Sequence, residues 1–116
     1  MTKSQCIATM NDQLRRSIGV FGISTSHLGR VMLSAGIAAL DPETIEQIVS
    51  RVREFDEFSE DNDPYGERDF GAFEFLGRRI FWKVDYYDRS LKYGSEDPTD
   101  PDATVRILTI MFAEEY

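Results

Sequence analysis

The sequence predicts a small α+β domain in which an N-terminal helix and a second amphipathic helix pack on an antiparallel sheet of three to four strands. Apolar residues recur at helical spacing over about residues 4–17 and 42–58, whereas residues 70–76 and 78–87 alternate as half-buried strands do. A third segment, residues 104–113, is almost continuously apolar, which is typical of a central strand. The 116 residues have the size of one domain, so we expect residues 1–116 to form a single domain.

The first helix is indicated by Ile7, Met10 and Leu14, which lie on one helical stripe. The glycine-rich segment 19–29 then interrupts this pattern and is predicted to be a loop. The sequence allows a short strand over residues 30–33. The small apolar residues 35–40 fit more than one state, so the sequence leaves that segment open.

The second helix has a defined start. Asp41 is suited to the N-cap, Pro42 to the first helical position and Glu43 to the first turn. The apolar stripe of this helix is long, which predicts that the helix continues to about Phe58 and covers the sheet. The stripe consists of Ile45, Ile48, Val49, Val52 and Phe55.

The two alternating segments predict a hairpin that turns at Leu76-Gly77. Ile80, Trp82 and Val84 would share one face of its second strand. We expect Trp82 to lie in the core, beneath the apolar stripe of the second helix. We also expect residues 104–113 to pair with this hairpin, because an isolated two-stranded hairpin is marginally stable.

Charge is distributed unevenly along the chain, whose formal net charge is −8. Residues 1–53 carry 6 Lys/Arg and 4 Asp/Glu, whereas residues 54–116 carry 7 and 17, which gives +2 and −10. An acidic surface repels phosphates, so we expect no direct nucleic acid binding. No apolar run approaches 18 residues and the N-terminus is polar, which predicts no membrane segment and a cytoplasmic location. The single cysteine, Cys6, excludes an internal disulfide.

Four strings of residues are distinctive in type and order. They are residues 11–15 (NDQLR), residues 60–67 (EDNDPYGE) followed by residues 69–71 (DFG), residues 81–88 (FWKVDYYD) and residues 105–116 (VRILTIMFAEEY). Together they resemble a bacterial domain-of-unknown-function family numbered three-seven-six-eight, from about Asn11 to the C-terminus. The resemblance implies an association with plasmids and other mobile elements, and it brings no catalytic or binding residues. Arg68 stands where the resemblance leads us to expect histidine, and the 19–29 loop is longer than expected.

The Glu60–Asp69 segment is rich in carboxylates, which are the oxygen ligands that calcium and magnesium need. Asp61, Asp63 and Asp69 match positions one, three and nine of a calcium loop, but position twelve is Ala72 instead of glutamate. A strand is also predicted to follow where a calcium loop would have a helix. We therefore expect no metal and no cofactor, and interpret the segment as a loop in which Asp and Asn side chains accept hydrogen bonds from backbone amides.

The other candidate residues carry weaker signals. His27, the one histidine, follows Ser24-Thr25-Ser26, but adjacent positions do not imply a nucleophile–base pair, so we assign no catalytic residue. Cys6 is expected to be a buried residue of the first helix. Trp82, Tyr86, Tyr87 and Tyr93 are interpreted first as packing residues, with an aromatic contact surface as the alternative.

The sequence favours a non-enzymatic acidic interaction protein of a plasmid or other mobile element. We expect a basic protein partner, with inhibition of a host defence system through a nucleic-acid-binding protein as one form of this role. The predicted partner-binding residues are Glu54, Asp56, Glu57, Glu60, Asp61, Glu96, Asp97, Asp100 and Asp102. Two alternatives stay open: a small toxin-type ribonuclease, on fold-level analogy, and a metal-dependent hydrolase using the Glu60–Asp69 loop. The oligomeric state is left open by the sequence.

Overall fold

The computed structural model describes residues 1–19 and 28–116. The helices and strands are, in chain order, α1 (Lys3–Arg16), β1 (Arg30–Leu33), α2 (Ala35–Ala38), α3 (Pro42–Arg53), β2 (Phe70–Phe75), β3 (Arg78–Tyr87) and β4 (Val105–Phe112), followed by a 3₁₀ turn over Ala113–Glu115. The α+β class is therefore confirmed. Each of the three predicted strands forms within one residue of its expected bounds.

The four strands form one sheet in the order β1-β4-β3-β2. β2 and β3 form the predicted hairpin, and β4 pairs antiparallel to β3. β1 lies parallel to β4, with Arg30 opposite Ile107 and Leu33 opposite Ile110, so the sheet is mixed. β4 is therefore central, as its apolar composition predicted, because it is flanked by strands on both sides.

Trp82 lies at the centre of the core, as the sequence predicted. It is fully buried on the helix side of β3, and its ring meets those of Phe55 and Phe58 edge-on, at centroid distances of 5.6 and 6.1 Å. Ile48 and Val52 of α3 belong to the same core cluster. The helix α3 thus covers the sheet with the stripe read from the sequence.

The predicted end of the second helix is wrong by five residues, because α3 stops at Arg53 and not at Phe58. The reason lies in another element: Arg15 of α1 donates from Nη1 to the backbone oxygens of Val52 at 2.9 Å and Arg53 at 3.1 Å. These carbonyls end the helix, and a buried guanidinium satisfies them in place of a further helical turn. The chain can then leave the helix and still place Phe55 and Phe58 against Trp82.

The ends of α1 and α3 stabilise one another through two arginines. While Arg15 binds the end of α3, Arg53 donates from Nη1 to the backbone oxygen of Ile18, at 2.9 Å, just beyond the end of α1. A cation near the C-terminus of a helix also interacts favourably with the helix dipole. This exchange fixes the two helices against each other.

Candidate functional site

The predicted partner-binding acids occupy two loops, which we call the first acidic loop (residues 54–69) and the second acidic loop (residues 88–104). In the first loop Glu54, Asp56, Glu57, Glu60 and Asp61 are all exposed. None of these five has an ion-pair partner among the described residues, and the same holds for Glu96, Asp100 and Asp102 of the second loop. By contrast, acids elsewhere, such as Asp12, Glu46, Glu74 and Asp85, do pair with cations.

The end of α3 at Arg53 changes the setting of the first group. A helix that continued to Phe58 would place Glu54, Asp56 and Glu57 in its last turn, where acids oppose the helix dipole. Because α3 ends at Arg53, only Glu54 is at the helix terminus, as its C-cap, and the other four lie beyond it. Their position therefore carries no helix-dipole cost.

Asp97 differs from the rest of its group. It is half-buried, its carboxylate accepts from the backbone N and the hydroxyl of Thr99, and it pairs with Lys3 at 3.7 Å. Hydrogen bonding to Thr99 lowers the pKa of Asp97. Asp97 thus stabilises the second acidic loop and attaches it to α1, so its carboxylate already has partners within the chain.

Two buried polar side chains connect the acidic loops to each other. Asn11 donates from Nδ2 to the backbone oxygen of Glu67, at 3.0 Å, in the first loop. Arg106 of β4 donates from Nε to Oδ1 of Asn11 at 2.9 Å and from Nη2 to the backbone oxygen of Pro98, at 2.5 Å, in the second loop. A continuous path of hydrogen bonds therefore runs from one acidic loop to the other through side chains that are 1% and 3% exposed.

Tyr86 completes this network from the neighbouring strand. Its hydroxyl accepts from Nδ2 of Asn11 at 2.8 Å and donates to the carboxylate of Glu67 at 3.0 Å, and the Arg106 guanidinium lies 5.1 Å from its ring centre. Burial raises the pKa of Tyr86 and lowers that of Arg106. Such networks are strong when every member is satisfied, so this one holds both loops in fixed positions.

Asp12 attaches the first loop to α1 by a second route. One of its oxygens accepts from Arg15 at 3.1 Å, and the other accepts from Arg68 at 2.9 Å. The structure thereby accounts for Arg68 at a position where histidine was expected. The string Asn11-Asp12-Gln13-Leu14-Arg15 supplies two buried anchors, Asn11 and Arg15. Sequence spacing could not reveal what these two side chains bind, since their partners outside the string lie 37 to 95 residues away.

Removing the link between the loops should release them. We expect Asn11→Leu to lower the free energy of unfolding by about 1–3 kcal/mol, because it removes the acceptor of the buried Arg106 Nε and the side-chain donor to the Glu67 backbone oxygen. Urea denaturation measures this loss, and hydrogen exchange should speed up in residues 60–69 and 95–104 together. Exchange that rises in only one loop would show that the two are anchored independently.

The weak metal candidates are not brought together. Asp61 is exposed, while Asp63 accepts from the backbone N of Arg68 at 3.0 Å and Asp69 is half-buried, where burial raises its pKa. In the described parts of the chain no group of three His, Cys, Asp or Glu side chains is arranged to hold a metal ion. Asn62 accepts from the backbone N of Ser59 at 2.8 Å, so amide-satisfying side chains do shape this loop.

The remaining candidates are dispersed. His27 lies outside the described residues. Cys6 is half-buried on α1, where the sequence predicted a buried residue. Trp82 and Tyr86 face the helices, whereas Tyr93 is exposed in the second acidic loop, so the aromatic residues do not form one contact surface.

The sheet face opposite the helices is not acidic, although the sequence assigns −10 to this half of the chain. Its strand positions carry three cations and two anions, and Lys83 and Asp85 pair with each other at 2.8 Å. The charged residues on this face are Arg30, Arg79, Lys83, Glu74 and Asp85. The unpaired negative charge therefore belongs to the loops and not to the sheet.

Comparison with known proteins identifies the family of this chain. A family model described as "Protein of unknown function (DUF3768)" matches residues 33–115. The match includes both acidic loops and the strands between and after them, but not Asn11. The searches of curated proteins and of solved structures gave no match. No described helix is long and apolar enough to cross a membrane.

Proposed function

Since the chain belongs to the DUF3768 family, whose description names no activity, we propose its function from the site itself: it is a non-enzymatic protein that binds a basic partner protein through its two acidic loops. The observation that carries this proposal is the segregation of charge. Eight exposed carboxylates without a cationic partner lie in these loops. Outside the loops most acids are paired, and the described acids without an ion pair are Asp41, Glu43 and Glu115.

The buried network supports the same proposal. A binding surface is more effective when its groups are held in place before the partner arrives, because less conformational entropy is lost on binding. The loops are held on their protein-facing side by the Asn11–Arg106 path and the Asp12–Arg68 pair, while their exposed carboxylates face solvent.

The partner class follows from chemistry. Two runs of carboxylates match a surface rich in lysine and arginine, which is the kind of surface that binds nucleic acid phosphates. We propose that the protein occupies such a surface on a nucleic-acid-binding protein of a host defence system. A role on plasmids or other mobile elements, which the resemblance implies, fits this proposal.

Charge reversal tests the proposal directly. We expect Glu57→Lys with Glu60→Lys to slow association with a basic partner recovered from bacterial lysate and to flatten the salt dependence of binding, because long-range attraction acts mainly on the association rate and is screened over about 8 Å at physiological salt. Surface plasmon resonance at several salt concentrations measures both effects.

The matched control is Glu43→Lys with Glu114→Lys, which changes the formal charge equally at exposed positions outside the loops. The control should slow association less than the loop variant. Equal effects of the two variants, an unchanged rate in the loop variant or the recovery of no basic partner would each contradict the proposal.

A further inference from the structure

The outer strand β2 presents an unpaired backbone edge. It pairs on one side with β3, and no described residue pairs with its other side. The backbone N of Val84 donates to the oxygen of Asp69 at 2.8 Å, which fixes the alternation of bonds along this ladder. The N–H and C=O groups of Phe70, Ala72 and Glu74 therefore point away from the sheet.

This edge lacks most of the devices that discourage pairing. Natural edge strands are blunted by proline, lysine, bulges or short length. β2 contains six residues, Phe-Gly-Ala-Phe-Glu-Phe, with one charged side chain and no proline. The opposite edge, β1, has only four residues. An open antiparallel edge of this length can accept one more strand.

The first acidic loop lies beside the same edge. Glu54, Asp56 and Glu57 line a cleft of about 170 Å³ together with Phe73 of β2. Arg51 at the end of α3 also borders the cleft, but its guanidinium is stacked 4.7 Å from the ring centre of Phe73 and makes no ion pair with these acids among the described residues. Unpaired negative charge therefore stands next to unpaired backbone groups.

A polar group of β3, buried behind this edge strand, has no hydrogen-bond partner in the described parts of the chain. This group is the indole Nε1 of Trp82. It lies over Gly71 of β2, where a Cβ would come within 2.6 Å of the indole Cε2, so only glycine leaves room for the ring. Gly71 thus lets β2 pack closely against the core, and the unmet indole donor belongs to β3 behind the edge and not to the edge itself.

We propose that the basic partner docks here as an added strand: an extended, lysine- or arginine-rich segment pairs with β2, and its alternate side chains reach Glu54, Asp56 and Glu57. This inference rests on the proposed function, since it specifies how the acidic loops engage a basic partner. Backbone hydrogen bonds at Phe70, Ala72 and Glu74 supply affinity, and the carboxylates select basic side chains at every second position.

The probe is the synthetic peptide acetyl-Lys-Thr-Lys-Val-Lys-Val-Lys-Thr-Lys-amide, tested on the full chain by isothermal titration calorimetry. A matched peptide carries N-methyl groups on alternate amides, so its charge is the same but one edge cannot donate hydrogen bonds. On the protein side, Ala72→Pro removes an outward N–H that the fold does not use, and proline is tolerated at such edge positions. Ala72→Val keeps the N–H and is the control.

We expect the N-methylated peptide and Ala72→Pro each to weaken binding about tenfold or more, whereas Ala72→Val leaves it within about twofold. Amide resonances of Phe70, Ala72 and Glu74 should shift on peptide addition. Circular dichroism checks that Ala72→Pro folds, and if it does not, the N-methylated peptide with the unaltered chain carries the test.

The outcomes separate this inference from the proposed function. If both peptides bind equally and Glu57→Lys with Glu60→Lys still weakens binding, strand addition is wrong and the charge-based function stands. If the N-methylated peptide and Ala72→Pro abolish binding but charge reversal has no effect, β2 accepts an added strand that the acids do not select. That result contradicts both the charge-based function and the selection of basic side chains proposed here. A dimer in light scattering that Ala72→Pro dissociates would identify a second copy as the occupant and overturn the inference.

Discussion

Trp82→Ala is expected to lower the free energy of unfolding by about 3–5 kcal/mol, the usual cost of truncating a large buried aromatic residue. Trp82 has no exposed surface, and it joins β3 to the segment after α3 through edge-on contacts with Phe55 and Phe58. Alanine would leave a cavity between sheet and helix that neither element can close, because both are fixed by other contacts.

Urea denaturation followed by far-ultraviolet circular dichroism measures this loss, and Tyr93→Ala, at a residue 71% exposed, is the control. The control should change stability by less than about 0.5 kcal/mol. A loss below about 1 kcal/mol for Trp82→Ala would place the indole at the surface and contradict the packing described above.

Arg15→Met is expected to cost about 3 kcal/mol, although the substitution places an apolar side chain in a buried position. Arg15 is 1% exposed, and its guanidinium makes three kinds of contact. It donates to the two carbonyls that end α3, pairs with the carboxylate of Asp12, and lies 5.6 and 5.2 Å from the ring centres of Phe58 and Trp82. Methionine can replace the packing but none of the hydrogen bonds. Burial lowers the pKa of Arg15, yet arginine remains charged at every accessible pH.

Arg15→Lys separates charge from geometry. An ammonium on a flexible stem cannot reproduce the planar fork that reaches both carbonyls and Asp12, so we expect lysine to recover less than half of the loss. Arg16→Met, whose side chain is 65% exposed, is the control. If Arg15→Lys is as stable as the unaltered chain, the guanidinium acts as a simple point charge, and its role in ending α3 is wrong.

The local elements of the fold could be predicted because their signals lie within a few residues of each other. Asp41 accepts from the backbone N of Thr44, and Pro42 occupies the first helical position, as the sequence indicated. Leu76 and Gly77 both adopt positive φ, at 50° and 78°, which is the backbone of a two-residue hairpin turn. Alternation placed Trp82 in the core, and an almost continuous apolar segment placed β4 at the centre of the sheet.

The end of α3 is determined by a tertiary contact. The apolar stripe continues through Phe55 and Phe58, so periodicity alone extends the helix that far. Phe55 is buried in the core and the half-buried Phe58 packs against it, but both lie in a non-helical segment. The helix can end before them because Arg15, 37 residues away along the chain, satisfies its last carbonyls. No local pattern contains that hydrogen bond.

The candidate site likewise has features that the sequence predicts and features that only the folded chain shows. The sequence by itself determined that this is an α+β chain with two runs of acidic residues, since composition and periodicity are properties of the chain. Only the tertiary structure shows that Asp97 already binds Thr99 and Lys3. It also shows that Asn11 and Arg106 link the two acidic loops, and that β2 is an open edge beside the first acidic loop. Pairing of charges and strands joins residues far apart in the chain, and only folding brings them within hydrogen-bonding distance.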